Sequence, residues 1–467
     1  MQVEQIYTGC LSQGAYYIEC NGEAAIVDPL RDTAPYLQRA RDSGAVIKYI
    51  LETHFHADFV SGHLDLSRQT GAEIIYGPTA LPDFPFRSVR DNEELLLGRC
   101  RIRLLHTPGH TMESSCYLLK DEHGIDRALF TGDTLFIGDV GRPDLAQALD
   151  PTLTPEKLAG RLFDSLQNKI LPLHDNIIVY PGHGAGSACG KNLGAQRYDT
   201  LGHQKKHNYA LRPGLTKEEF IKEVTAGLTP PPGYFPANVI MNKKGYVPFE
   251  RILSRSHKAL SPADFAAAVN EMAALILDTR SAEKFKEGFI PGSINIGVDG
   301  NFAPWAGAMI PDVSQPVLFV ADPGREEEVV TRLARVGLDN CLGYLSGGIE
   351  AWDAAGKELD YIDSVSSVEM SEIMHRTPVN LLDVRRSGEF AREHVMDAVN
   401  IPLDQINEGM KRISSGKTWY VYCAGGYRSM IFISILRARG YRQLIDISQG
   451  FGGMKASGKF CITNDNP

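Results

Sequence analysis

Apolar and polar residues alternate along residues 3–29, in the runs Glu4-Gln5-Ile6-Tyr7, Ala15-Tyr16-Tyr17-Ile18-Glu19 and Ala24-Ala25-Ile26-Val27. Glycine-containing turns separate the runs, so a β-sheet is predicted. Residues 34–43 read as a helix, and Val46-Ile47-Lys48-Tyr49-Ile50-Leu51 as a short strand. After a polar stretch, Ser61-Gly62 and the spaced Leu64 and Leu66 suggest another helix. Three further β-prone runs, residues 101–105, 128–130 and 176–180, each end at a turn residue. Thr154-Pro155-Glu156 has the signature of a helix start, with threonine as cap and proline in the first turn. Thr229-Pro230-Pro231-Pro232-Gly233 stops any helix, and the chain to about Pro248 is expected to wrap over what precedes it. Beyond it, short β runs alternate with helical patterns twice over, which predicts parallel α/β sheets.

A chain of 467 residues is expected to divide into about three domains. With 43% hydrophobic and 22% charged residues it has the make-up of an ordinary globular protein. The formal charge of −9 is spread out, with no basic cluster, so nucleic acid is not an expected partner. No apolar run approaches the ~20 residues of a membrane span. Met1-Gln2-Val3-Glu4 lacks the basic and apolar regions of a signal peptide. Eight scattered cysteines without a CxxC pair are not a disulfide framework, so a reducing cytoplasm is the expected compartment.

The chemistry is expected at strand ends, where rigid scaffolds place working residues. The run 46–51 leads into Thr53-His54-Phe55-His56-Ala57-Asp58-Phe59, where three ligand-type side chains alternate with other residues. In an extended segment that spacing would turn His54, His56 and Asp58 to a common point. The other runs lead into His106-Thr107-Pro108-Gly109-His110, Thr131-Gly132-Asp133 and Pro181-Gly182-His183. Isolated His63, His106, His123 and His174 read as surface or core residues. HxHxD, PGH, GDT and PGH in this order resemble the metallo-β-lactamase fold, an αββα sandwich with metal at one edge, over residues 1–245. Dizinc members such as glyoxalase II carry a histidine after the aspartate. Here that residue is Phe59, which cannot coordinate.

The closer resemblance is to persulfide dioxygenases. It implies a single metal held by His54, His110 and Asp133, an arrangement suited to non-haem Fe(II), with Zn as the alternative. His56, Asp58 and His183 are then candidates to orient ligands or substrate. The loop from Phe136 to Asp144 resembles the one those enzymes place beside the iron. There Arg142 could hold an anionic substrate or pair with Asp144, the pair being favoured. Cys189, in a small-residue run after His183, could be a reactive thiol near the metal; a small buried residue is the favoured reading.

The last 210 or so residues contain a repeat. Leu277-Asp278-Thr279-Arg280 matches Leu382-Asp383-Val384-Arg385, residues 290–296 match residues 395–401, and Ser346-Gly347-Gly348-Ile349 parallels Ser448-Gln449-Gly450-Phe451. LDxR followed by an NI segment resembles the rhodanese family, in two copies. In the second copy, the strand Trp419-Tyr420-Val421-Tyr422 runs into Cys423-Ala424-Gly425-Gly426-Tyr427-Arg428-Ser429 and then an apolar helix. Such a loop can aim backbone N–H groups and a helix N-terminus at a thiolate or persulfide on Cys423, with Arg428 adding positive charge. Four residues between Cys423 and Arg428 resemble the sulfurtransferases; the related cysteine phosphatases have five. In the first copy Asp322 is read at the cysteine's position, Pro323 removes a donor, and residues 326–328 add negative charge. That copy is expected to be inactive, and Cys341 to be structural.

The whole chain thus resembles bacterial persulfide dioxygenase–rhodanese fusions: α/β throughout, with a metallo-β-lactamase-like domain at 1–245, a rhodanese-like domain lacking the cysteine at 258–360 and an active one at 361–467. The resemblance implies a sulfide-detoxifying enzyme that oxidises a low-molecular-weight thiol persulfide with O2 to sulfite and thiol. Sulfur would pass through Cys423 to sulfite, giving thiosulfate. Small molecules are the expected partners, without nucleic acid or membrane, and self-association into a homo-oligomer is expected. The rival readings are a dizinc thioester hydrolase of glyoxalase II type with an appended sulfurtransferase, and a non-enzymatic sulfur carrier or sensor.

Overall fold

The computed structural model describes residues 1–148 and 150–465. The chain forms two compact units, one built on Met1–Arg251 and the other on residues 252–333 and 338–465.

The first unit is a sandwich of two six-stranded sheets. One sheet takes Gln2–Thr8, Gln13–Cys20, Glu23–Val27, Val46–Leu51, Glu73–Tyr76 and Arg87–Ser88 in that order. Its first three strands are antiparallel and the rest parallel. The other runs Asp199–Thr200, Ile178–Pro181, Asp126–Gly132, Ser115–Lys120, Cys100–His106, Glu94–Leu97. In it only the pairing of Asp126–Gly132 with Ile178–Pro181 is parallel.

Period-two alternation decides which residues face which layer. Tyr16 and Ile18 join Tyr49, Leu51, Leu104, Tyr117 and Phe130 between the sheets. Ala15, Tyr17 and Ile26 turn outward to Tyr36, Ala40 and Leu66 on the helices Ala34–Ser43 and His63–Thr70. Across the second sheet, Leu105, Leu118 and Leu129 pack on Leu158-side helix residues Ala159 and Leu162. That helix, Pro155–Ser165, is capped by Thr154, whose hydroxyl accepts from Lys157 N. The layers are αββα, as the motifs implied. The strand expected over 176–180 begins only at Ile178, because His174 O accepts from Ile177 N and closes a turn there.

The second unit holds two five-stranded parallel sheets of one topology. The first orders Ala259–Leu260, Cys341–Leu345, Val317–Val320, Leu275–Asp278, Ile294–Asn295. The second orders Ser364–Val365, Leu444–Ile447, Trp419–Tyr422, Asn380–Asp383, Val399–Asn400. The repeated LDxR…N pattern has a structural cause. Asp278 forks onto Arg280, which donates to Gly288 O, while Asn295 Nδ2 donates to the carbonyls of Asp278 and Arg280. Asp383, Arg385, Glu393 O and Asn400 repeat each contact. Among the described residues no helix is long and apolar enough to cross a membrane.

Candidate metal centre and sulfur-transfer loop

Strand Val46–Leu51 delivers Glu52, Thr53 and His54 to one edge of the sandwich, and the neighbouring strand Glu23–Val27 delivers Asp28. Asp28 fastens the two strand ends: its Oδ1 accepts from Thr53 N at 2.8 Å and its Oδ2 from the Thr53 hydroxyl at 2.9 Å. With its hydrogen committed to Asp28, the Thr53 hydroxyl accepts from His54 Nδ1 at 2.9 Å. His54 Nε2 is therefore the unprotonated nitrogen. His110 is set the same way: its Nδ1 donates to Arg142 O at 2.8 Å. Both Nε2 atoms face Asp133 Oδ2, at 3.9 and 3.5 Å.

All three side chains are buried, and Asp133 Oδ2 has no hydrogen-bond partner among the described residues. Their ligand atoms lie within 4.8 Å of one another. Two imidazole lone pairs and an unpartnered carboxylate oxygen fit a divalent metal, since a buried polar atom without a partner is costly. Glycines let the backbone close in. At Gly182 a Cβ would lie 2.6 Å from Asp133 Oδ1, and at Gly141 one would lie 2.0 Å from Asp133 O. Burial alone would raise the Asp133 pKa, but the charge and hydrogen bond of His183, then His54 and His110, hold it well below the usual range. Burial, and next the charge of His56, push His54 down.

Thr53→Val keeps the side chain's shape but leaves His54 Nδ1–H without its acceptor. Metal affinity should fall about 10–100-fold, the usual cost of losing a ligand's supporting contact, while Thr53→Ser should stay near wild type. Chelator competition reads this directly; equal affinities for the valine and serine proteins would remove the relay.

His56 does not share this point. The expectation that His54, His56 and Asp58 face together required extended backbone, and residues 53–61 form an irregular loop. His56 packs beside His54 with ring centroids 4.2 Å apart, but its Nε2 lies 3.1 Å from Asp28 Oδ1 and 3.7 Å from Glu52 Oε2. Burial opposes its charge, but Asp28 and Glu52 raise its pKa to about 9. Asp58 takes a third direction, with Oδ2 2.8 Å from His183 Nε2, and His183 Nδ1 donates to Asp133 Oδ1 at 2.9 Å. Burial disfavours a charged His183, yet Asp133 and Asp58 raise its pKa well above the usual value. Its ring lies between two carboxylates, and both favour its protonated form. The Cys189 sulfur lies within 4.8 Å of ligand atoms of Asp58 and His183. Burial, then Asp58 and Asp133, push this thiol up, so it is neutral. Phe59 is fully buried and stacks on His56 with centroids 4.2 Å apart. Arg142 is occupied by Asp144, through two contacts of 2.6 Å, and by the carbonyls of Ala188 and Thr229.

Several supporting residues escaped the sequence reading: Asp28, Glu52, Thr53, Tyr234 and Asn242. Asn242 Nδ2 donates to the carbonyls of His56 and Phe59, both at 2.8 Å, and its Oδ1 accepts from Ser61 N. The Tyr234 hydroxyl donates to Asp58 O. The segment after the prolines thus holds the ligand loop in shape, although nothing in its local sequence announces that role.

In the second unit, strand Trp419–Tyr422 delivers buried Cys423, and helix Tyr427–Ala438 begins four residues on. Gly426, at φ 103°, aims its N–H at Cys423 Sγ from 3.1 Å. Cys423 O accepts from Phe451 N, and Ala424 O from Gly452 N. Arg428 is not a free cation: it forks onto Glu389 at 2.6 and 2.9 Å, holding that carboxyl below its usual pKa. Ala424, Gly425, Tyr427 and Ser429 complete the loop, and the Ser429 hydroxyl donates to Gly426 O and Asp446.

One expectation is corrected. Asp278 pairs with Val320 as Asp383 pairs with Tyr422, so the counterpart of Cys423 is Ala321 and not Asp322. Asp322 lies one position further on, ion-paired with Lys284 at 2.7 Å. A methyl group at this position has no sulfur to donate.

The sequence profile of the metallo-beta-lactamase superfamily matches residues 8–183. The profile of the rhodanese-like domain matches residues 261–355 and 366–457. A crystal structure of a metallo-beta-lactamase from Staphylococcus aureus subsp. aureus COL is 32% identical, covers 74% of this chain and 98% of its own, and superposes with a TM-score of 0.65. A probable metallo-hydrolase of Burkholderia pseudomallei strain 1710b is 30% identical over 44% of this chain and 78% of its own length. A probable hydroxyacylglutathione hydrolase of Schizosaccharomyces pombe is 31% identical over 38% of this chain and 66% of its own. This chain therefore spans just under two thirds of that hydrolase.

Proposed function

We propose, on the premise that this chain belongs to the metallo-β-lactamase superfamily and carries two rhodanese-like domains, that it is a persulfide dioxygenase coupled to a sulfurtransferase. The observation that carries the reading is the separation of the HxHxD side chains. Of these, His54 joins His110 and Asp133, and the residue after Asp58, a histidine in the dizinc members the motif resembles, is the buried Phe59. Asp58 and Asp133 both favour a protonated His183 between them, which would balance the two carboxylates without a second cation. A ferrous ion held by His54, His110 and Asp133 would supply oxygen activation.

The side chains do the rest. Asp133 keeps Oδ1 on His183 and leaves Oδ2 for the metal. Thr53 and the Arg142 carbonyl fix the two imidazoles in the ligating tautomer. His183 stores a proton beside the centre, and Phe59 and Phe136 flank it with apolar surface. The balanced reaction is RSSH + O2 + H2O → RSH + SO3²⁻ + 2H⁺. In the second unit the Cys423 thiolate attacks the outer sulfur of RSSH, the donor's S–S bond breaks, RSH leaves once its thiolate is protonated, and Cys423 is left as a persulfide. Sulfite then attacks that outer sulfur, the S–S bond breaks towards Cys423, and thiosulfate leaves with the thiolate restored.

The names of the S. pombe and other relatives favour a second reading, a thioester hydrolase of the hydroxyacylglutathione type. One experiment separates the two. Protein purified anaerobically should hold about one iron per chain and consume one O2 per persulfide oxidised. Two zincs per chain, with thioester hydrolysis and no oxygen uptake, would replace the dioxygenase by the hydrolase.

A further inference from the structure

The rhodanese-like copy with Ala321 at the loop position touches the loop of the copy that carries Cys423 there, and the contact falls on a residue of the sulfur cradle. Tyr427 follows Gly426, the N–H donor to Cys423 Sγ, and precedes Arg428. Its hydroxyl donates to Gly297 O of the first copy at 2.8 Å. Its ring lies against two glycines: a Cβ on Gly300 would stand 2.4 Å from ring carbons Cε2 and Cζ, and one on Gly297 3.4 Å from Cε2. The slot is shaped for this ring.

The slot is also anchored. Asn295 is bonded to the carbonyls of Asp278 and Arg280, and Arg332 donates to Val298 O. Arg325 grips Asp299 at 2.6 Å and Glu328 at 2.8 Å. With Ala321 in the place of Cys423, Arg325 is the counterpart of Tyr427 itself, and Gly324, at φ 83°, the counterpart of Gly426. The loop that cradles sulfur in one copy serves in the other to brace the turn that receives Tyr427. A second contact lies two helical turns along: the buried Ser434 hydroxyl accepts from Asn295 N at 2.9 Å. Both contacts fall on one face of helix Tyr427–Ala438.

We propose that the first rhodanese-like copy, which lacks the loop cysteine, is a positioning element for sulfur transfer, holding the Cys423 loop through the Tyr427 hydroxyl and the glycine slot at Gly297 and Gly300. Tyr427 on Gly297 and Arg428 on Glu389 tie down the two residues that follow Gly426. The inference rests on the reading that Cys423 carries sulfur; its chemical-reactivity readout does not.

The test is Gly300→Ala, made in the full chain. The added methyl should displace the ring, lower kcat/KM for thiosulfate formation about tenfold or more, as small misplacements of reacting groups do, and shift the pH profile of Cys423 alkylation followed by mass spectrometry. Oxygen uptake, which belongs to the other unit, should be unchanged, and an unchanged circular-dichroism spectrum and thermal transition should show that the second unit is folded. In a Tyr427→Ala background the same change should add nothing, because the ring it strikes is gone. Tyr427→Phe, which keeps the ring and loses the hydrogen bond, should fall between. If Gly300→Ala leaves both transfer and the alkylation profile within twofold of wild type, or acts equally in both backgrounds, the copy has no positioning role. If transfer survives in Cys423→Ser, it is the carrier assignment that fails, and the alkylation profile still decides the positioning.

Discussion

Asp133→Asn protein is expected to bind almost no metal and to consume almost no oxygen. The substitution is isosteric, so the cost is electrostatic. Asp133 is the one carboxylate in the cluster it forms with His54 and His110, and its unpartnered Oδ2 is the charged ligand atom of that cluster. An amide offers that position a neutral oxygen or an N–H, and it withdraws one of the two carboxylates that hold His183 charged. Losing a group that only supports a ligand costs about 10–100-fold in affinity or activity, so losing the ligand's charge should cost more. Iron below about a tenth of an equivalent and oxygen uptake reduced at least about 10²-fold are the expected readings. Transfer from Cys423 should be untouched, since it lies in the other unit. Uptake persisting above a tenth of wild type would mean that Asp133 does not hold the working metal.

The second large effect concerns Cys423. In Cys423→Ser, thiosulfate formation from persulfide and sulfite should fall at least about 10³-fold, because a hydroxyl is not ionised near neutral pH and carries no sulfane sulfur. The buried position, the Gly426 N–H at 3.1 Å and the left-handed Gly426 all remain, so folding should not suffer. Sulfite should then accumulate instead of being converted, with oxygen uptake at its wild-type rate. Thiosulfate made at an undiminished rate by this variant would move the carrier role to another thiol or to free persulfide.

Much of this architecture is readable in the sequence because it rests on local chemistry. Period-two alternation marks the strands that line the sandwich, and Thr154-Pro155 marks a helix start with its cap. The LDxR…N repeat marks two sheets because each motif closes its own bonds within about 20 residues. Four ligand motifs at strand ends mark one edge of the fold.

What was not readable depended on backbone direction and on residues far along the chain. The alternation in HxHxD suggests one shared face, but the loop is not extended, and its three side chains go to three neighbourhoods. Whether His56 meets the metal or Asp28 is decided by a carboxylate on the next strand and by Asn242, more than 180 residues away, gripping the loop's carbonyls. The counterpart of Cys423 was misread as Asp322 because the segments between LDxR and the loop differ in length in the two copies; strand register identifies Ala321. The chain by itself determined the elements, the layers and the supply of ligand side chains, since periodicity, capping and turn chemistry act over a few residues. Tertiary structure alone decided which nitrogen faces which carboxylate and which copy braces which loop, because such contacts exist only once distant strand ends are hydrogen-bonded side by side.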